Sequence, residues 1–330
     1  DRIGALRTCM AGMAVSILGG ARGLAAGSEF MLLISRFIEG AGAMAVAVSA
    51  PALLSSASAP IDRRFALSIW SAYMPAGTGL AMLVAPAVIP FFGWRGIWWL
   101  ILATLIFSSI AVLRFRPAYR LPPPATTEAH PLIAAKEALA QPAVWLLAFA
   151  MGSWTIQYYA LVVWIPTFLK EQRDYGTFSV AVLSSLVVLT NVPGNLLGGR
   201  LLQRGFRRGK MIAASSLFIG LCGIGVFLDL LPDILRYGLC LSLSFVGGLI
   251  SAAVMTASAS LARTPRQVGT LQGLLMQIGN LGAFVSPPLI AVVVASSGLW
   301  SDAWAVTAAA AFVGIVLGLM LHRLELRTKH

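Results

Sequence analysis

Residues 35–42, Ser35-Arg36-Phe37-Ile38-Glu39-Gly40-Ala41-Gly42, place an arginine and a glutamate in an apolar segment whose only charges, from Phe30 to Leu54, are these two. An ionisable side chain near the middle of a bilayer costs about 2.5–3.5 kcal/mol on insertion scales, so such groups face protein or a water-filled path. At i and i+3 the two share one helix face. Three readings stay open on that spacing. The pair is functional, it merely neutralises itself, or Arg36 snorkels to the nearer interface.

Working outward, the whole chain shares the character of this segment. Of its 330 residues 58% are hydrophobic and only 11% charged, against roughly 25% charged in an ordinary soluble domain. The chain therefore reads as an all-α, polytopic membrane protein in contact with the lipid bilayer. Windows of about 20 apolar residues mark ten spans, near 7–26, 30–55, 66–91, 97–114, 143–168, 178–202, 211–230, 235–261, 268–297 and 303–322. Most connections between them are short. The exception is 116–142, where Arg116-Pro117 and Leu121-Pro122-Pro123-Pro124 precede a polar run. It reads as a linker between a bundle over 1–115 and another over 143–330, with a short amphipathic helix expected at Pro131–Ala140.

The net charge of +12 would suggest nucleic acid in a soluble protein. Here the alternation of loops explains it. Only Arg22, Arg95, Lys170, Arg173 and Arg236 fall on one side; apart from Arg36, every other lysine and arginine falls on the other. That asymmetry places the N-terminal turn, the linker and the C-terminus in the cytoplasm, and no nucleic-acid partner is expected. Cys9, Cys222 and Cys240 lie in separate apolar segments without metal spacing. They read as small core residues, with no disulfide and no metal implied.

An internal repeat is also legible. Arg2 and Arg204, Arg64 and Arg266, Gly77 and Gly279, Pro86 and Pro288, and Trp98 and Trp300 stand at one constant offset, each pair at matching topological places. Two homologous halves follow. Carried to the first half, the offset expects two spans before Asp1, hence a parent of twelve spans arranged as six plus six. Arg36 and Glu39 map onto Gly238 and Leu241, so the pair has no counterpart in the second half.

These residues together resemble the major facilitator superfamily of secondary transporters. Asp1-Arg2-Ile3-Gly4-Ala5-Leu6-Arg7 is similar to the second half of that family's cytoplasmic signature, G-x-x-x-D-R-x-G-x-[RK]-[RK]. A degenerate copy runs from Gly199 to Arg208, with Gln203 in place of the acid. Arg36-x-x-Glu39-Gly40-x-Gly42 resembles the family's fourth-helix signature, and Gly93-Trp94-Arg95 its turn between helices five and six. The stretch 157–169 resembles the seventh helix of cyanate-permease-like members. The resemblance implies two six-helix bundles, alternating access, and a cytoplasmic gate built from Asp1, Arg2, Gly4 and Arg7. For Arg7 positive-inside topology is an equal reading.

Candidates for a midplane solute site are the polar groups of the central helices. Tyr73, Gln157 and Tyr158 are expected there, with Trp154 a turn before Tyr158, and Gln277 and Asn280 on one face of the eleventh helix. Ordinary helix packing is the competing reading for the aromatics. Asn191 and Asn195 flank Pro193-Gly194 and read as amides that mend a proline kink. Gly279 and Gly282 are expected to permit close helix approach. His130, His322 and His330 fall in loops or at helix ends, so Glu39 is the central carboxylate on which proton coupling would rest. With no HExxH, no intramembrane histidine and no paired aspartates, an enzyme is not expected, nor a cofactor. The expectation is a monomeric secondary transporter of the bacterial inner membrane that moves a small polar or anionic solute with protons. Efflux of amphiphilic drugs and a non-transporting receptor on the same fold are the alternatives.

Overall fold

The computed structural model describes residues 4–119, 131–228, 230–264 and 267–327. Asp1, Arg2, His130, Arg266 and His330 lie outside the described residues. Every regular element among those described is helical. In chain order they are α1 (Ala5–Leu24), α2 (Glu29–Ala57), α3 (Arg63–Ser71), α4 (Tyr73–Arg114), α5 (Pro131–Leu139), α6 (Pro142–Val162) and α7 (Ile165–Thr167). They continue as α8 (Thr177–Leu189), α9 (Asn191–Gln203), α10 (Arg208–Phe227), α11 (Asp233–Met255), α12 (Ala257–Leu261), α13 (Gln267–Ser297) and α14 (Ala303–Arg327). The helix expected in the linker is present as α5.

Eight helical runs among the described residues are long and apolar enough to cross a membrane. The expected ten passes differ from that number for two local reasons. The run Phe65–Arg114, 50 residues long, is broken at Gly93, whose φ of 61° and ψ of −174° are open to a residue without a Cβ. The chain turns back there, since a Cβ built at Gly96 would lie 2.9 Å from Val88 Cγ1. Arg95 fixes the turn by donating from Nε to Leu24 O at 3.2 Å and from Nη2 to Ala26 O at 3.3 Å, covering carbonyls at the end of α1 that have no helical partner. The second reason is α1 itself. Its 20 residues reach about 30 Å, enough for the hydrocarbon core, but Arg7 and Arg22 near its two ends dilute its apolar character.

The helices break where backbone chemistry requires it. Thr190 separates α8 from α9 three residues before Pro193, which has no N–H and crowds the carbonyl four residues back. Ser28 caps α2 by accepting from Met31 N at 3.3 Å, with Glu29 in the first turn against the helix dipole.

Packing then assembles two helix groups. In the first, α1 lies on α2 and on the second half of α4. The α1–α2 contact is backbone on backbone: a Cβ at Gly12 would sit 2.7 Å from Gly42 O, an approach typical of small residues in membrane helices. In the second group α6 packs on α13 and α14, and α10 on α14 and α11. As the glycine pattern predicts, Gly282 of α13 faces the Gly152 carbonyl of α6. The fully buried Leu147, Ile212, Ile219, Leu243 and Ile250 form the largest core, and the free cysteines Cys9, Cys222 and Cys240 are buried as expected. Large apolar side chains such as Phe30, Phe37, Phe107, Phe284 and Phe312 are exposed on the outside. The groups meet along α3 and α4 against α9 and α8.

Candidate functional site

A cavity of about 80 Å³ lies where the two groups meet. Tyr73, Met74 and Thr78 line it from α4, Trp154 and Tyr158 from α6, Asn191 from α9, Ser251 from α11 and Asn280 from α13. Among the described residues none of its lining side chains is charged; it offers hydroxyls, amides, thioethers and aromatic faces. Its aromatic wall is rigid. Trp154 lies against Gly247, whose missing side chain makes room for the indole, and donates from Nε1 to Ser251 Oγ at 3.0 Å. Tyr158 leans against it at 5.1 Å between centroids with the rings tilted by 39°, and meets Tyr159 edge-on at 5.6 Å. The Tyr158 hydroxyl is buried beside the Ser244 hydroxyl of α11.

Beside this wall, toward the basic end of the molecule, a hydrogen-bond relay crosses three helices. Asn191 Nδ2 donates to Ser244 O of α11 at 2.7 Å, Asn195 Nδ2 to Asn191 Oδ1 at 2.7 Å, and Ser71 Oγ of α3 to Asn195 Oδ1 at 2.8 Å. Asn195 Nδ2 also donates to the Asn191 carbonyl at 3.2 Å, a backbone contact across Pro193 of the kind their place suggested, and the two asparagines in addition tie α11 through α9 to the other helix group. Two further contacts join the groups at the same end. Gln203 Nε2 reaches Ile61 O at 3.4 Å, and the Arg200 guanidinium lies 5.4 Å from the centre of the Phe65 ring. Where the degenerate signature departs from an acid, Gln203 thus supplies a neutral donor across the interface. Arg208, which closes that signature, caps the break after α11. It donates to Ala253 O at 2.5 Å, Thr256 Oγ1 at 2.6 Å and Ser260 Oγ at 3.2 Å.

Of the residues expected at a solute site, Tyr73, Tyr158 and Asn280 line the cavity, and Asn280 also approaches Met44 Sδ of α2 at 3.6 Å. Gln157 and Gln277 do not. One residue along a helix rotates a side chain by about 100°, so Gln157 points away from the face of Tyr158. It is fully buried and donates from Nε2 to Ser153 O at 3.2 Å, next to where Ser153 bonds Ala310 O of α14. On α13 the cavity-facing stripe is Met276, Gly279, Asn280 and Ala283, which leaves Gln277 exposed. Sequence reasoning missed Ser71 and Ser251, whose small hydroxyls carry no signal apart from their partners.

Arg36 and Glu39 form an ion pair at 2.5 Å. The guanidinium also lies 4.7 Å from the centre of the Trp98 ring in the second half of α4. A Cβ at Gly19 would fall 2.6 Å from Glu39 N, so α1 presses directly on this turn of α2. The pair is half-buried between α2, α1 and α4 and does not line the cavity. In the expected gate, Gly4 begins α1 with φ 86° and accepts from Thr8 N at 3.0 Å, while Arg7 is exposed. Asp1 and Arg2 fall outside the described residues.

Long apolar helices around an uncharged polar cavity define an integral membrane protein. The chain belongs to the Major Facilitator Superfamily, whose pattern it matches over residues 1–287. It is 24% identical over 319 residues to the probable sulfoacetate transporter SauU of Cupriavidus necator, covering 91% of this chain and 74% of that protein. It is 23% identical over 324 residues to the hexuronate transporter of Bacillus subtilis, covering 92% and 76%. Among solved structures it superposes on the transporter FucP in the outward conformation with a TM-score of 0.71 at 13% identity, over 96% of this chain and 83% of that one. On the human organic anion transporter MFSD10 the TM-score is 0.75 at 17% identity, over 97% and 78%. At these identities the structural matches speak to the fold.

Proposed function

We propose that this chain is a secondary active transporter of the bacterial inner membrane. It works by alternating access between a bundle over 1–115 and one over 143–330 joined by the 116–142 linker, as a monomer with its basic end in the cytoplasm. The observation that carries the reading is the cavity at the meeting of the groups, where Tyr73, Trp154, Tyr158 and Asn280 converge without a charge among the lining residues. Such a lining suits a small polar solute held by hydrogen bonds and ring contacts. The Ser71–Asn195 and Gln203–Ile61 bonds close the basic end, which supports assigning this conformation as outward-facing. Proton coupling rests on Glu39. Protonating it removes the charge that holds Arg36 and frees the guanidinium within α2, the element that meets Trp98 of α4 through Arg36 and Asn280 of α13 through Met44.

The names of the relatives supply a solute panel: sulfoacetate, hexuronate, and the 2-nitroimidazole of an Escherichia coli transporter that is 25% identical over 235 residues, 68% of this chain and 56% of that protein. Cyanate joins the panel because the stretch 157–169 that resembles cyanate-permease-like members contributes Tyr158, Tyr159 and Val162 to the cavity. Anionic members test whether Arg36 draws charge toward the site. Thermal stabilisation of the purified protein by one panel member, lost in Tyr158→Phe together with Asn280→Ala, supports the assignment. Stabilisation that survives the double substitution would place the solute elsewhere. The efflux reading is favoured by a neutral, aromatic-lined cavity and fails if amphiphilic drugs neither stabilise the protein nor compete with the solute.

A further inference from the structure

Five aromatic side chains form two runs of ring contacts, one on each helix group, and both runs reach the central cavity. In the first group Trp70 of α3 stacks on Tyr73 of α4, with centroids 5.5 Å apart and planes 28° from parallel. In the second, Trp154, Tyr158 and Tyr159 of α6 follow one another at 5.1 and 5.6 Å. Tyr73 and Tyr159 both line the cavity, and their hydroxyls lie within electrostatic reach of each other. Among the described residues, however, these two rings make no contact with one another. Tyr73 is 40% exposed and Tyr159 only partly buried, so each keeps ring surface uncovered.

Both ends of this gap are held from behind. Tyr73 rests on Trp70; Tyr159 rests on Tyr158, which leans on Trp154, itself seated over Gly247 and bonded to Ser251. Ring surface fixed before binding loses little freedom when an occupant arrives. An aromatic pair then adds roughly two- to tenfold in affinity beyond the burial of its area. The thioethers of Met151 and Met276 line the same space, and sulfur packs favourably at ring edges. A puckered saturated ring of equal size gains neither term. Asn280, on the same cavity, offers its amide to a polar substituent.

We infer that the solute is a planar aromatic or heteroaromatic ring with a small polar substituent, inserted between Tyr73 and Tyr159; this rests on the reading of the cavity as the solute site. Because the two tyrosines belong to different helix groups, the ring bridges the groups that alternating access moves against each other.

Benzamide and cyclohexanecarboxamide, which share an amide and differ in the flatness of the ring, are the probes. Their binding to the purified protein is measured by equilibrium dialysis, corrected by protein-free micelles. Saturable binding of benzamide is expected, roughly fivefold tighter than that of cyclohexanecarboxamide. Tyr73→Leu and Tyr159→Leu are each expected to bring the two probes nearly level. Tyr73→Phe, which keeps the ring and loses only the hydroxyl, is expected to retain the preference, a result that a merely structural role for Tyr73 would not give. Absence of saturable benzamide binding, equal affinity of the two probes for the unaltered protein, or a preference that survives both leucine substitutions would overturn the inference. Flux of another solute alongside any of these results would leave the transporter reading standing. Benzamide preference in a protein that carries no solute would keep the ring site and count against transport.

Discussion

Glu39 and Tyr158 are the residues on which the account turns, and they act at different places. Glu39 sits in an ion pair outside the cavity, so Glu39→Gln is expected to leave solute binding within about twofold, since no cavity contact is lost, while abolishing the response of flux to a pH gradient. Binding by thermal shift and flux in liposomes separate the two effects. Tyr158→Phe removes one hydroxyl from the cavity wall. Loss of a single hydrogen bond is worth about 1 kcal/mol, roughly fivefold in affinity, and the solute titration reads it directly. The charge pair was legible in the sequence because two charges stand alone in an apolar run. The cavity hydroxyls Ser71 and Ser251 were not, since a serine in a membrane helix is as often bonded to its own backbone, and only the partners Asn195 and Trp154 set these two apart.

Among elements, the α1–α2 contact and the α9 relay carry distinct expectations. Gly42→Val would push a branched side chain into the Gly12 carbonyl and Ser16; overpacking of this kind costs on the order of 1–3 kcal/mol. It is expected to lower the melting temperature, and to disturb the Arg36–Glu39 turn one helical turn away. Ser71→Ala removes the bond that joins α3 to Asn195, leaving a buried amide oxygen short of a donor. A spin-label distance between positions 61 and 203 is expected to broaden toward longer values, because under the proposed alternating access the basic end loses one of the bonds that close it. An unchanged distribution would mean that the relay serves folding alone. Helix existence was read from apolar windows with little error, since length and hydropathy dictate it. What escaped was the direction of side chains around each helix: Gln157 and Gln277 have suitable chemistry but stand about a quarter turn from the stripes that line the cavity.

At the scale of the whole molecule, two helix groups meet around a neutral polar cavity, with bonded contacts at the basic end and aromatic residues at its centre. The apolar windows and the motifs around Arg36 and Gly93 made the helical membrane fold legible. The contact surface between groups was not, because it depends on crossing geometry that no periodicity encodes. If alternating access is the mechanism, opening at one end requires closing at the other, and locking the basic end must stop transport without destroying the site. The most direct measurement is therefore solute flux into liposomes by a Phe65→Cys, Arg200→Cys variant, before and after a reversible crosslink across the contact those residues make. The account predicts that crosslinking abolishes flux, leaves solute-induced thermal stabilisation intact, and is undone by reduction. Undiminished flux through the crosslinked protein would contradict it.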